Sequence, residues 1–185
     1  MADEVWAERE FNGHDFRDED LSRLRTERAI FTDCDFSGAD LSESEHEGSA
    51  FRNCTFRRTS LLHSIFRHCS FLGSVFTECR LRPIKFVEVD FTLTVLAAAD
   101  LRSADLSDCR LREASLVDAD LRKAVLRRAD LTGARVQNAK LEEADLRGAR
   151  VDPTLWITAR LRGAKVDIEQ AMAFAAAHGL DIQGG

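Results

Sequence analysis

One large apolar residue returns every five positions along this chain, and the comb never changes phase. It runs from Phe11 and Phe16 through Leu21, Phe31, Phe36, Leu41, Phe51, Phe56, Leu61, Phe66, Phe71, Phe76, Leu81, Phe86 and Phe91, then through Leu101, Leu121 and Leu141 to Val166. Of the 32 positions in that register only Thr26 and His46 are polar. The residue two before each central one is constrained as well: from Ala29 to Ala164 it is Ala, Cys, Ser, Thr or Val, with Ile84 the one bulky exception. A period of five fits neither the helical repeat of 3.6 nor the strand repeat of 2. It fits a chain that turns a corner every five residues, so that the large residue fills the middle and the small one lines it.

The turn register is marked by residues with special backbone geometry. Gly13, Gly38, Gly48, Gly73, Gly133, Gly148 and Gly163 all lie two after a central residue, as do Pro83 and Pro153. Glycine permits positive φ and proline fixes φ at a turn value, which identifies the corners. Residue types also recur every twenty. Leu21, Leu41, Leu61, Leu81, Leu101, Leu121, Leu141 and Leu161 form one column, Phe11, Phe31, Phe51, Phe71 and Phe91 another, and the two polar exceptions are themselves twenty apart. Four faces per coil follow, and with them eight coils stacked at about 4.8 Å. Phe31, Phe51, Phe71, Leu81, Leu101, Leu121 and Leu141 are the expected core. Thr26 and His46, on neighbouring coils, are expected to hydrogen-bond inside it.

After Val166 the comb stops. The alanine-rich stretch from Asp167 to Gly179, with Asp167 as N-cap, Gln170 three residues on and Gly179 at the end, predicts a helix over about 168–178. The expected organisation is a solenoid over 1–166 and a capping or dimerisation helix with its tail over 167–185. An open solenoid end exposes apolar rungs and strand edges that something must cover. Leu155, Trp156, Ile157, Met172, Phe174 and Leu180 are the residues expected to join a second copy there; in the alternative the helix caps its own chain.

Composition changes the picture mainly through charge. Residues 1–50 carry fifteen acids against five bases, a net −10, whereas residues 51–185 carry a net +4, giving −6 for the chain. Asp15, Asp18, Asp20, Asp33, Asp35, Asp40, Glu43, Glu45 and Glu47 fall in outward registers of the first coils. The plain reading is a solvated face; the sharper one is an acidic surface for a basic partner. Arg52, Arg57, Arg58, Arg67, Arg80, Arg82 and Lys85 make the middle basic. The five cysteines all sit in the small-residue register without C-x-x-C spacing and read as buried fillers. No catalytic set, metal site or cofactor motif stands out, so the chain is expected to be no enzyme and to bind no cofactor, metal or nucleic acid. Its acidic N-terminus without an apolar leader, and the lack of a long apolar run, predict a soluble, cytoplasmic protein with no membrane segment.

The motif Ala-Asp-Leu-x-x, met at Ala39–Glu43, Ala99–Ser103, Ala119–Lys123 and Ala129–Gly133, resembles the pentapeptide-repeat family. That resemblance implies an all-β fold, a right-handed quadrilateral parallel β-helix. The stretches 16–24, 48–56 and 173–180 are similar to family members that protect against fluoroquinolones. The likeness implies a homodimer joined at its C-terminal ends that binds DNA gyrase by imitating duplex DNA, on a rod about 20 Å wide. Some family members interrupt the coil with functional loops; the unbroken phase here predicts none. The alternative function is a solenoid scaffold for another regulatory protein, such as a small GTPase.

Overall fold

The computed structural model describes residues 4–182. The outer few residues of both predicted segments, 1–3 and 183–185, lie outside that range. Among the described residues are ten three-residue strands: β1 (Val5–Ala7), β2 (Glu10–Asn12), β3 (Arg25–Glu27), β4 (Ile30–Thr32), β5 (Glu45–Glu47), β6 (Ala50–Arg52), β7 (Thr55–Arg57), β8 (Ile65–Arg67), β9 (Val75–Thr77) and β10 (Lys85–Val87). They stack in three parallel ladders, β1-β3-β5-β8-β10, β2-β4-β6 and β7-β9. Single bridges continue the same columns as far as Asp145↔Lys165, and each partner is twenty residues on. This is a quadrilateral parallel β-helix, right-handed as parallel crossovers almost always are.

The repeat has a hydrogen-bonding logic. The central residue and the residue two after it donate along the rod to the next coil, as Phe16 does to the Asp35 carbonyl at 2.8 Å and Asp18 to Ser37 at 3.0 Å. After most faces that pair by a single bridge, the residue three after the centre closes the corner, as Glu19 N–H does on the Phe16 carbonyl at 3.3 Å; after the strands, among the described residues, no such bond forms, and Ala29 and Cys54 donate instead to the Ser49 and Ser74 hydroxyls one coil on. That leaves the N–H one after the centre without a backbone partner. The aspartate before the centre supplies one: Asp20 accepts from Ser22, Asp40 from Ser42 and Asp130 from Thr132, at 2.9–3.1 Å. The Ala-Asp-Leu motif is thus a turn whose orphan donor is satisfied by its own side chain.

The small register is explained as well. Thr59, Ser64, Ser74 and Thr94 donate their hydroxyls to the carbonyl of the central residue 23 positions earlier, at 2.7–2.9 Å. A polar group can therefore sit inside without being left unpaired. Cys34, Cys54 and Cys69 make the same contact through sulfur, and burial pushes the Cys54, Cys69 and Cys109 thiols up to about 12. The core rings stack coil on coil: Phe31 on Phe51 at 4.8 Å and Phe36 on Phe56 at 5.0 Å, nearly parallel. Phe31, Phe51, Phe71, Leu81, Leu101, Leu121 and Leu141 are all buried. Trp6, one step before the sequence comb was begun, is buried too and packs on Phe11 and Phe16.

Two departures from the sequence reading matter. The rod does not keep its ladder everywhere: among the described residues, Leu81 and Phe86 donate to no backbone carbonyl of the next coil, and Asp100 and Asp105 to none of the previous one. Two of the four faces therefore part at this level. Ile84, too large for its register, is only partly buried there, and Cys79 beside it is half-buried where a fully buried filler was expected. Second, a short helix, α1 (Pro153–Thr158), replaces the face expected around Trp156, while Lys140↔Arg160 and Asp145↔Lys165 keep the twenty-residue register around it.

The terminal helix α2 (Ile168–Ala177) is capped as expected. Asp167 accepts from Gln170 N–H at 2.9 Å and Gln170 Oε1 accepts from Asp167 N–H at 3.1 Å. Gln170 Nε2 also donates to the carbonyls of Leu146 and Ala149, which seats the helix on the last coil. No helix among the described residues is long and apolar enough to cross a membrane.

Candidate functional site

The predicted acids do not share one face. Asp15 and Asp35 pair in one column with Asp18 at the corner beside them; Asp20 and Asp40 form the next column, with Glu43; Glu45 and Glu47 lie in β5 on a third face; Asp33 stands at a further corner. They make a belt around the N-terminal coils. All are exposed except Asp35, which is half-buried. Vertical neighbours such as Asp20 and Asp40 are bridged residues on successive coils, so like charges recur at the coil spacing.

Part of the belt is neutralised from within. Arg17 binds Asp15 through both guanidinium edges, at 2.6 and 2.8 Å, and reaches Asp35 at 3.9 Å. That hydrogen bond holds the Asp15 carboxyl down at about 2. Arg23 takes Glu43 at 3.1 Å. Among the described residues Asp18, Asp20, Asp33, Asp40, Glu45 and Glu47 have no ion pair. The sequence shows Arg17 two residues after Asp15 and Arg23 one coil before Glu43, but the sequence reading did not use these spacings, because that a residue two on folds back onto the aspartate carboxylate is a property of the turn.

At the other end, Leu155 and Trp156 are already covered within the chain, 2% and 3% exposed. Leu155 therefore belongs to the core and cannot itself meet a second copy without rearrangement. Trp156 forms the floor of an apolar hollow with Leu161, Ala164, Val166, Ala171 and Phe174. Of that lining Phe174 is exposed, and so, in the same two helices and just after them, are Ile157, Met172 and Leu180. Leu161, Ala164 and Val166 are lining residues of this hollow that the sequence reading assigned only to the comb.

Three models of the family match the chain: Pentapeptide repeat region over residues 59–136, Pentapeptide repeats (9 copies) over 31–83 and Pentapeptide repeats (8 copies) over 10–45. Over 180 residues the chain is 67% identical to the pentapeptide repeat protein MfpA of Mycobacterium tuberculosis, covering 97% of this chain and 98% of that one. It belongs to the pentapeptide-repeat family. A second MfpA, from Mycolicibacterium smegmatis, is 75% identical over 60 residues, 32% of this chain and 31% of that one. Among solved structures, a trypsin-treated variant of QnrB1, a plasmid-mediated fluoroquinolone resistance protein, superposes with a TM-score of 0.72 at 18% identity, over 97% of this chain and 100% of that one. Full-length QnrB1 gives 0.64 at 20%, over 95% and 100%. At that identity the likeness is one of fold. For this pentapeptide-repeat chain, then, the inward registers account for the fold, and any particular function has to be sought in the outward ones.

Proposed function

We propose that the protein binds DNA gyrase by imitating duplex DNA, competes with DNA for the enzyme, and so restrains supercoiling and the cleavage that fluoroquinolones stabilise. The observation that carries this reading is the belt of unneutralised carboxylates, Asp18, Asp20, Asp33, Asp40, Glu45 and Glu47, held on a hydrogen-bonded ladder. B-DNA presents closely and regularly spaced negative charge to the basic surfaces that bind it. A rod with acids fixed at the coil spacing offers the same kind of field without a flexible backbone. The 67% identity to MfpA supports it, and QnrB1, whose fold the chain shares, is a fluoroquinolone resistance protein. In this reading the protein works in the cytoplasm as a non-enzymatic homodimer. Two copies meet through the apolar hollow above Trp156, with Ile157, Met172, Phe174 and Leu180 closing over it, and the joined rods carry acids at both outer ends.

The experiment is inhibition of purified gyrase by the protein in a supercoiling assay at several salt concentrations. Asp20→Asn, Asp40→Asn, Glu45→Gln and Glu47→Gln together remove four charges while the asparagines can still accept the turn N–H. The combined variant should inhibit about tenfold less well, and inhibition by the parent protein should weaken as salt rises. Gyrase that supercoils normally in the presence of excess parent protein would end the proposal.

A further inference from the structure

Outward registers are polar on most of the rod, but one face breaks that rule for three successive coils. The positions on either side of Phe76, Leu96 and Leu116 are Val75, Thr77, Val95, Ala97, Ser115 and Val117, with no charged side chain among them. Bridges Val75↔Val95 and Val95↔Ser115 align them in columns. Along one edge Leu72 and Leu93 stand 39% and 50% exposed. The backbone adds an independent sign. Among the described residues, twenty-two non-glycine residues have positive φ, and the only two apolar ones are Leu93 and Ala98, at φ 60 and 56°, both bordering this face. The left-handed region disfavours residues that carry a Cβ, and Leu93 gains little burial in return. The fold does not require a leucine there, and clustered exposed apolar groups mark a surface that another molecule covers.

We infer that this face docks an amphipathic helix of a protein partner, laid along the rod axis, with acidic residues flanking its apolar stripe at both ends. The spacing fits. Coils of a parallel β-ladder are about 4.8 Å apart, in keeping with rings that stack at 4.6 Å for Phe56 on Phe76 and 5.5 Å for Phe71 on Phe91, and a helix advances about 5.4 Å per turn. One apolar side chain per turn then meets one coil, with a drift of about 1.5 Å over three coils.

Charge fixes the ends. Arg52, Arg57 and Arg58 stand exposed one coil before the apolar stretch, and Arg135 one coil after it, on the same column as Val75, Val95 and Ser115. Among the described residues none of these four has an ion pair or a side-chain hydrogen bond, whereas Arg17, Arg102, Arg122 and Arg147 are each held by an aspartate. Arg57 and Arg135 are four coils apart, about 19 Å, which a helix of about thirteen residues spans. Glu78, Glu113 and Asp118 at the side corners repel acids along the flanks of the helix, so its acids belong at the ends. This is recognition of an amphipathic helix by its apolar face, with anchors at i, i+4 and i+7, laid here on a flat face of the rod.

The probe is a synthetic helix of about fifteen residues with leucines at that spacing and two glutamates at each end; the control carries lysines in place of the glutamates. Binding is read by fluorescence anisotropy, and its place on the full-length protein by amide chemical shifts. The glutamate-ended peptide should bind at least about tenfold more tightly than the lysine-ended one, shifting the amides of Leu72, Val75, Leu93, Val95, Ala97 and Val117. Leu93→Asn, which suits positive φ, should leave the circular dichroism and melting temperature intact and weaken binding about tenfold. Arg57→Glu with Arg58→Glu should reduce or reverse the preference between peptides. Equal affinity for the two peptides, no effect of Leu93→Asn, or shifts centred on α2 or the acidic coils would overturn the inference. So would concentration-dependent shifts of the same amides in the protein alone, which would mean that a second copy covers the face.

Discussion

The buried histidine offers the sharpest test of how the solenoid tolerates a polar core position. His46 is 1% exposed, stacks on Phe66 at 4.4 Å and meets Phe51 edge-on. Ser44 donates its proton to the Leu41 carbonyl at 2.6 Å, so His46 Nε2–H must donate to Ser44 Oγ, at 2.9 Å. Nδ1 then accepts from Thr26 Oγ1 at 2.8 Å, and Thr26 in turn is satisfied by Ser49 at 2.8 Å. The chain of bonds is complete with a neutral ring. Burial drives the pKa from its ordinary 6.5 to about 3. The neutral form is therefore the one that folding favours, and its stabilisation, present above pH 6.5, is lost as pH falls towards 3.

Linkage from an unfolded pKa of 6.5 gives a loss of about 0.7 kcal/mol between pH 7 and 6 and about 2 kcal/mol between pH 7 and 5. The second figure barely depends on how far below 4 the buried pKa lies. His46→Phe continues the aromatic column of Phe66 and Phe86, while Thr26 keeps Ser49 and Ser44 keeps the Leu41 carbonyl. Urea denaturation of both proteins at pH 7, 6 and 5 is the assay. The parent protein should lose about 2 kcal/mol relative to His46→Phe over that interval, since the carboxylates held low by arginines lose their contribution only below about pH 4. Parallel pH dependences of the two proteins would refute the reasoning.

Two further predictions concern the ends and the middle of the rod. Gln170→Ala removes half of the capping box and leaves the Ala149 carbonyl without a partner among the described residues, so it should cost about 2–3 kcal/mol; a loss below about 0.5 kcal/mol in chemical denaturation would mean that α2 is not anchored there. At the parted faces, the amides of Phe86 and Asp105 should exchange with solvent at least about tenfold faster than those of Phe91 and Arg110, whose ladder bonds are 2.7 and 3.0 Å, and equal protection by hydrogen-exchange NMR would contradict the opening.

The fold was legible because its rule is local and repeated. Every central residue from Phe16 to Leu146 occupies the same inward position in the middle of a face, so dozens of weak signals add in phase, and His46 with Thr26 could be paired from spacing alone. Where one residue breaks the rule, the consequence was not legible. Ile84 announced itself as too large, but not that two faces would part around it. Pro153 reads as a corner proline in a five-residue comb and equally as the first residue of a helix; the helix wins where no further full coil needs the ladder. The neutralised and free acids differ in a residue the sequence does show, Arg17 after Asp15 but Ser22 after Asp20 and Ser42 after Asp40; what it did not show is that the turn folds that residue back onto the carboxylate.

A fold specified by its inward registers leaves its outward registers free to vary without changing shape. In a globular domain an unusual surface residue competes with structural explanations, since nearly every position borders some irregular feature. Here each outward position has equivalents at multiples of twenty residues before and after it, and those equivalents serve as internal controls. Glu43 and Lys123 occupy the same turn column at φ 60 and 61°, so the backbone does not demand either sign of charge. Leu93 has Glu113 as its counterpart one coil on and Asn53 two coils back, at φ 55 and 52°, so the backbone does not demand leucine. What the geometry permits at every coil but the sequence supplies at only some is not explained by the fold. The acidic belt and the apolar face are both of that kind, and because they occupy different coils of one rod the two proposed contacts can be disrupted, and tested, separately.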